Sequence, residues 1–384
     1  MVQQQHVVVI GGGPAGIQFA QALAAKLSST VKITVIEKQS FTFHAVGIPR
    51  ALVDKAYVPK LFIPLDKALP PSVTLLRGAA ERITDHEVTV RAIVDGALAE
   101  STTTLRFDYL VLATGSSYPG PIKVPGDVVN RATIQAALHE SIDRIAAASS
   151  VVLIGGGAVG CEIAGEIASA YPTKTVTLVD GNRELMAHAG VSAKFRARLV
   201  ASLEARGVRL LLNERLAQRP SASSFERQSL TFASGKTLTA DVQLVTSGMT
   251  PNTQLMAAFR PSLATPQGIR VKSNLQVDDS SLHHVYVLGD ASNHPSPKLA
   301  MTAGEQAAFL AKKLAKTIQK GTPVPPFKTS EITAMLVPTG PGGGVGQLPM
   351  FGGVVVGDWL VRTTKGKDYF ASMSWGKWKA TLAP

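Results

Sequence analysis

Val7–Gly16 reads VVVIGGGPAG, and Val151–Gly160 reads VVLIGGGAVG. Each is an apolar, β-branched run leading directly into G-x-G-x-x-G: Gly11, Gly13 and Gly16 in the first copy, Gly155, Gly157 and Gly160 in the second. An acidic residue follows each copy about 20 residues on, Glu37 and Asp180. The pattern predicts a buried parallel strand, a tight glycine turn and a helix that starts at Pro14-Ala15 or at Ala158-Val159. The first glycine of each copy permits the turn, the second lets backbone approach a pyrophosphate, and the third allows close helix–strand packing. The helix start carries about half a unit of positive charge toward that anion, and the acid takes the adenosine ribose. Two such cradles on one chain imply two dinucleotides and electrons passing between them.

Working outward, residues 7–38 and 150–180 are matching βαβ units. Residues 41–64 mix aromatics with proline and glycine and read as loops and short helices over a ligand. Residues 73–112 alternate in strand-like runs, an antiparallel excursion that returns to the parallel sheet and ends in Ala113-Thr114-Gly115. SSYPGPIKVPGD, Ser116 to Asp127, is a linker, and GTPVPPF, Gly321 to Phe327, a second one. GVRLLLNERL, SLTFASGKTL and VQLVTSGMTPN repeat the excursion in the second half. VYVLGD then gives a short buried strand ending in Gly289-Asp290, followed by a helix from about Thr302 to Gln319. The last 57 residues read as a glycine-rich segment and two strands, VVVGDWLVR and DYFASMSW. The expected fold class is α/β: two Rossmann-like dinucleotide-binding domains with antiparallel excursions, plus a small α+β C-terminal domain. The first domain spans 1–127 and 255–322, the second 128–254, the third 323–384.

Composition narrows the function. With 45% hydrophobic and 17% charged residues the chain is an ordinary globular one, and at 384 residues it needs more than one core. No apolar run is long enough for a transmembrane helix. The first strand begins at about Val7, so neither a cleaved leader nor, with Val2, a myristoylation signal is expected. Cytoplasmic residence follows as the expectation, with peripheral attachment to a membrane or lipid-droplet surface as an alternative. The single cysteine, Cys161, excludes a dithiol relay and suits a packing position. Net charge is +12, and from Ala311 onward nine Lys and one Arg face three acids. That basic end could meet anionic lipid, an acidic protein or nucleic acid, although no nucleic-acid-binding motif accompanies it.

The doubled fingerprint with VYVLGD resembles the two-dinucleotide-binding flavoprotein reductases. The resemblance implies FAD in the first cradle, on Gly11, Gly13, Pro14, Ala15, Gly16, Glu37 and Lys38, with Gly289 and Asp290 at the ribityl-phosphate region. Lys298 and Ala300 lie just beyond, and Ala113-Thr114-Gly115 closes over the flavin. It implies NADH or NADPH in the second cradle, on Gly155, Gly157, Ala158, Val159, Gly160 and Asp180, with Gly248 of TSGMTPN closing over it. Asp180 suits a free ribose 2′-hydroxyl and hence NADH; Arg183 could accommodate a 2′-phosphate instead. The start of the late helix, around Met301 to Ala303, would favour an anionic reduced flavin through its dipole. An acid matching Glu162 would stand beside the nicotinamide, with Glu166 one turn on. Arg50 is a candidate phosphate or flavin-edge contact, and His44 either bonds in the same region or is a satisfied core histidine.

FTFHAVGIPRALVD at 41–54, SPKLA, GVGQL and VVVGDWLVRTTKGKDYFASMSW narrow the likeness to the ferroptosis-suppressor flavoproteins, which are apoptosis-inducing-factor-homologous. That resemblance implies an NAD(P)H:quinone oxidoreductase, in which hydride passes from NAD(P)H to FAD and two electrons pass on to a quinone of the ubiquinone or vitamin K type. Lys365, Lys298 and Glu162 are its candidate catalytic residues, Lys365 foremost. Trp359, Phe370, Trp375 and Trp378, interleaved with Lys365, Lys367, Lys377 and Lys379, suit a quinone tunnel, an interfacial membrane patch or a small domain core. A protein or small-molecule acceptor, and a redox-sensing DNA-binding flavoprotein, are the alternatives. The sequence leaves the oligomeric state open.

Overall fold

The computed structural model describes residues 4–27, 30–188, 190–329, 334–350 and 353–382. Its largest sheet has seven strands in the order Val285–Val287, Tyr109–Leu112, Gln5–Ile10, Val31–Glu37, Val73–Ile83, Glu87–Val94, Ala97–Arg106. The first five run parallel. Val73–Ile83 serves two partners, pairing parallel with Val31–Glu37 through its first half and antiparallel with Glu87–Val94 through its second. Gly78 sits at the handover, where a Cβ would meet the Arg91 carbonyl oxygen at 2.7 Å. The excursion read from the sequence thus grows out of the end of a parallel strand.

A second sheet of four parallel strands runs Arg209–Leu212, Thr175–Asp180, Ser150–Ile154, Val242–Val245. Its excursion is a separate hairpin, Gln228–Thr231 with Thr237–Ala240. The two fingerprint strands lie centrally and are covered on both faces, which is why VVV and VVL show no alternation: Val7, Val8, Val9, Val151 and Leu153 are fully buried.

The late helix spans Ala300–Lys320 and ends on left-handed Gly321. GTPVPPF lacks regular structure, yet it is strapped down: Val324 and Phe327 are buried, and the Phe327 amide donates to the Ser273 carbonyl oxygen.

The C-terminal segment departs from the expectation of two strands. Met335–Pro338, Gly344–Leu348 and Val354–Val356 form an antiparallel sheet, but the rest is helical. Asp358–Val361 is an α-turn, Arg362–Gly366 a π-helical turn, and Ala371–Lys377 a helix. Tertiary burial overrides the β preference of the aromatics here. Trp375 and the cap residue Trp378, three apart, fall on one side and are buried. Trp375 Nε1 donates to the Lys60 carbonyl oxygen and Trp378 Nε1 to Thr42 Oγ1. An indole burying roughly 200 Å², at about 25 cal/mol per Å², contributes at most about 5 kcal/mol. The segment therefore staples the two halves together. Trp375 and Trp378 join the core of the first cradle helix, while Val337, Val345, Tyr369 and Ala371 join the core of the second sheet and of residues 41–62.

Candidate active site

In the first cradle Gly11 has φ +115°, and a Cβ there would stand 2.3 Å from the Ala113 carbonyl oxygen. A Cβ on Gly16 would stand 1.9 Å from the Gly11 carbonyl oxygen. A Cβ on Gly13 would meet nothing within 4 Å, so this glycine faces open space, as a backbone that must admit a pyrophosphate does. Glu37 holds the turn, accepting from the Gly12 amide at 2.5 Å and the Gln39 amide at 2.8 Å. Gly289 approaches both Ala15 of the cradle helix and Ala303 of the late helix within 3.6 Å of its Cβ position. Cradle, Gly289-Asp290 and late-helix start therefore converge on one place. Asp290 accepts from Ser116 Oγ at 2.6 Å and Lys123 Nζ at 3.1 Å, two partners that the sequence did not signal.

The second cradle repeats the geometry. Gly155 has φ +128°, a Cβ on Gly160 would stand 2.0 Å from the Gly155 carbonyl oxygen, and Gly157 faces open space. Asp180 accepts from the Gly156 amide at 2.6 Å and the Asn182 amide at 2.7 Å. A cavity of about 310 Å³ opens beside it, lined by Gly155, Asp180, Gly181, Arg215, Arg219 and Ser247 among others. The residues present fit FAD in the first cradle and NAD(P)H in the second. The two closing segments are sewn together: Thr114 Oγ1 donates to the Asn252 carbonyl oxygen and Asn252 Nδ2 to the Thr114 carbonyl oxygen, both at 2.8 Å.

Glu162 and Glu166 project from the second cradle helix, Ala158–Ala170, into a buried charged ladder. Lys365 Nζ donates to Glu162 Oε1 at 2.5 Å and to the Leu336 carbonyl oxygen at 3.1 Å. One turn on, Glu166 receives Arg50 Nε at 2.8 Å, Arg50 Nη2 at 2.9 Å and the Tyr369 hydroxyl at 2.9 Å. Burial pushes the Glu162 carboxyl pKa up, only partly offset by Lys365. Burial also raises the Tyr369 phenol well above its usual range, with Glu166 adding to it. Burial opposes the Arg50 charge, but the Glu166 contact outweighs it and raises the guanidinium pKa. The π-helical turn carries Lys365 and places it four residues before Tyr369, so both reach the same helix.

Three cations named from the sequence have partners within the chain that no local pattern announced. Arg50 directs Nε and Nη2 to Glu166 and Nη2 also to the Gly366 carbonyl oxygen, a bidentate cation for a carboxylate with 1% side-chain exposure. Lys38 donates to the Gly126 carbonyl oxygen of the first linker. Lys298 is folded into its own loop, donating to the Ser292 and His294 carbonyl oxygens, and burial lowers its pKa despite Asp290. His44 is a satisfied core histidine: Nε2 donates to the Tyr369 carbonyl oxygen at 2.8 Å, and burial lowers its pKa. Of the tail aromatics, Trp375 and Trp378 are core, while Trp359 is 68% exposed. Cys161 is buried and its thiol pKa is raised by burial, which suits packing.

Residues 5–307 match the pyridine nucleotide-disulphide oxidoreductase family. The chain is 30% identical to human ferroptosis suppressor protein 1 over 374 residues, covering 96% of this chain and 95% of that protein. It is 28% identical to apoptosis-inducing factor homolog B of Dictyostelium discoideum, covering 81% of each. Among solved structures, the sulfide:quinone oxidoreductase of Aquifex aeolicus superposes with a TM-score of 0.76 at 16% identity, over 99% of this chain and 93% of that one. A ferredoxin reductase from Rhodopseudomonas palustris gives 0.64 at 21% identity, over 84% and 78%.

Proposed function

Because this chain belongs to the pyridine nucleotide-disulphide oxidoreductase family, and is an FAD- and NAD(P)H-dependent oxidoreductase of the ferroptosis-suppressor type, we propose that it reduces a quinone. Bound FAD supplies the chemistry, accepting hydride from NAD(P)H and releasing two electrons. The chain's own residues bind, orient and stabilise.

The observation that carries the reading is the Lys365–Glu162 pair. It joins the second cradle helix to the C-terminal segment, and the ammonium is anchored on one side by a carboxylate and on another by the Leu336 carbonyl oxygen. A cation with 13% side-chain exposure, held before any acceptor arrives, stabilises negative charge developing on a quinone oxygen without reorganisation. Glu162 keeps that cation in place. The lone buried thiol fits electrons leaving without a cysteine relay.

A lipid quinone would be met at a membrane surface. No helix among the described residues is long and apolar enough to cross a membrane. The C-terminal segment does expose Met350, Val354, Trp359 and Met373, and with the Lys residues of the same stretch of sequence they fit peripheral contact with anionic lipid. The purified FAD-loaded protein is expected to oxidise NADH or NADPH faster when a short-chain ubiquinone is added. Oxidation indifferent to quinone would rule the reading out.

A further inference from the structure

The cavity beside the second cradle has a cationic wall that the fingerprint does not account for. Arg215 and Arg219 come from the loop that follows the strand Arg209–Leu212, and both line the cavity together with Asp180 and Gly181. Arg215 lies across Gly181, where a Cβ would stand 2.7 Å from its Cγ and 3.3 Å from its Nε. Its guanidinium has no hydrogen-bond or ion-pair partner among the described residues. Glu214 also lines the cavity, but its carboxylate is bound to Lys236 Nζ at 2.6 Å and to Ser234 Oγ at 2.8 Å and makes no ion pair with Arg215.

Arg219 closes the other side. Its Nη2 donates to Ser247 Oγ at 2.9 Å and would stand 2.4 Å from a Cβ on Gly248. The Asp180 oxygens meanwhile face three donors, the Gly156 amide, the Asn182 amide and Asn182 Nδ2 at 2.8 Å. Asp180 thus holds its turn as Glu37 does in the first cradle, and what sets the second cradle apart is the unpaired guanidinium beside it. Guanidinium forks match a phosphate monoester in shape and charge.

We propose that the second cradle takes NADPH, that Arg215 and Arg219 receive its 2′-phosphate, and that Arg215 sets the preference over NADH. Arg183, the cation next to Asp180 in sequence, does not line the cavity and has no part in the discrimination. The inference rests on the second cradle being the NAD(P)H site and not on the identity of the electron acceptor.

Titration calorimetry of the FAD-loaded protein with 2′,5′-ADP and with 5′-AMP tests it without turnover. The 2′-phosphorylated probe should bind at least tenfold more tightly. Arg215→Ala should remove that ratio and leave 5′-AMP binding within about twofold, and Arg183→Ala should leave the ratio intact. Arg215 is exposed, so its removal does not threaten folding. Equal or weaker binding of 2′,5′-ADP, or a ratio that survives Arg215→Ala, overturns the proposal. Failure of both probes to bind overturns it together with the nucleotide assignment of the second cradle. Absence of quinone turnover bears only on the preceding reading.

Discussion

Arg50 and Glu166 form a bidentate ion pair between the segment that follows the first βαβ unit and the helix of the second cradle, with Nε–Oε2 at 2.8 Å and Nη2–Oε1 at 2.9 Å. The Tyr369 hydroxyl closes the same carboxylate from the C-terminal segment. One side chain, Glu166, is therefore shared by all three parts of the chain.

Removing one partner of that pair leaves a buried charge without compensation. Arg50→Ala should lower unfolding free energy by about 3 kcal/mol, read from denaturant titration. The double variant Arg50→Met with Glu166→Leu should be less destabilised than the sum of the single variants, since it removes both charges together. Additive losses would show that the pair is not coupled.

Lys365→Ala should lower quinone-dependent turnover about 100-fold, the typical effect of deleting one preorganised stabilising donor. Reduction of the bound flavin by NAD(P)H, followed anaerobically by stopped flow, should change far less. Unchanged quinone turnover would remove Lys365 from the site.

Gly13→Ala and Gly16→Ala separate binding from folding. Alanine at 13 meets no protein atom, so the apoprotein should melt as the parent does while retaining less FAD, read by flavin absorbance after gel filtration. Alanine at 16 collides with the Gly11 carbonyl oxygen, so both melting temperature and FAD content should fall.

His44 is buried with its pKa lowered, chiefly by burial, and the Tyr369 carbonyl restores only part of it. A histidine with a depressed folded pKa binds fewer protons than its unfolded counterpart as pH falls. Its stabilising contribution is complete above about pH 6.5 and is lost as pH drops from there toward the lower folded value. Melting temperature should therefore decline below about pH 6.5, and His44→Asn should flatten that decline. An identical pH profile in the variant would contradict this role.

Much of the site was legible because its demands are local. Turn, helix start and ribose acid fall within one βαβ unit, so Gly11, Gly13, Gly16, Glu37 and their second-half counterparts stand out in any reading of the chain. Lys365 and Glu162 were identifiable singly, through family likeness, but 203 positions separate them and nothing local announces that they touch. The protein partners of Arg50, Lys38 and Lys298 were not legible for the same reason: a cation's partner is chosen by three-dimensional neighbours. DYFASMSW was misread because its aromatics suit a strand equally well, until Trp375 and Trp378 found a surface to bury against.

By itself the sequence determined that this protein is built on two dinucleotide cradles, since strand, glycine turn and helix are encoded by short-range sterics and periodicity. Only the tertiary structure decided how the cradles are joined. The C-terminal segment buries its indoles on the first half and its lysine and tyrosine on the second, and Arg50 answers Glu166 across the gap. Those contacts arise because buried charges and indole N–H groups must find partners wherever the fold brings them, at distances along the chain that no local pattern can specify.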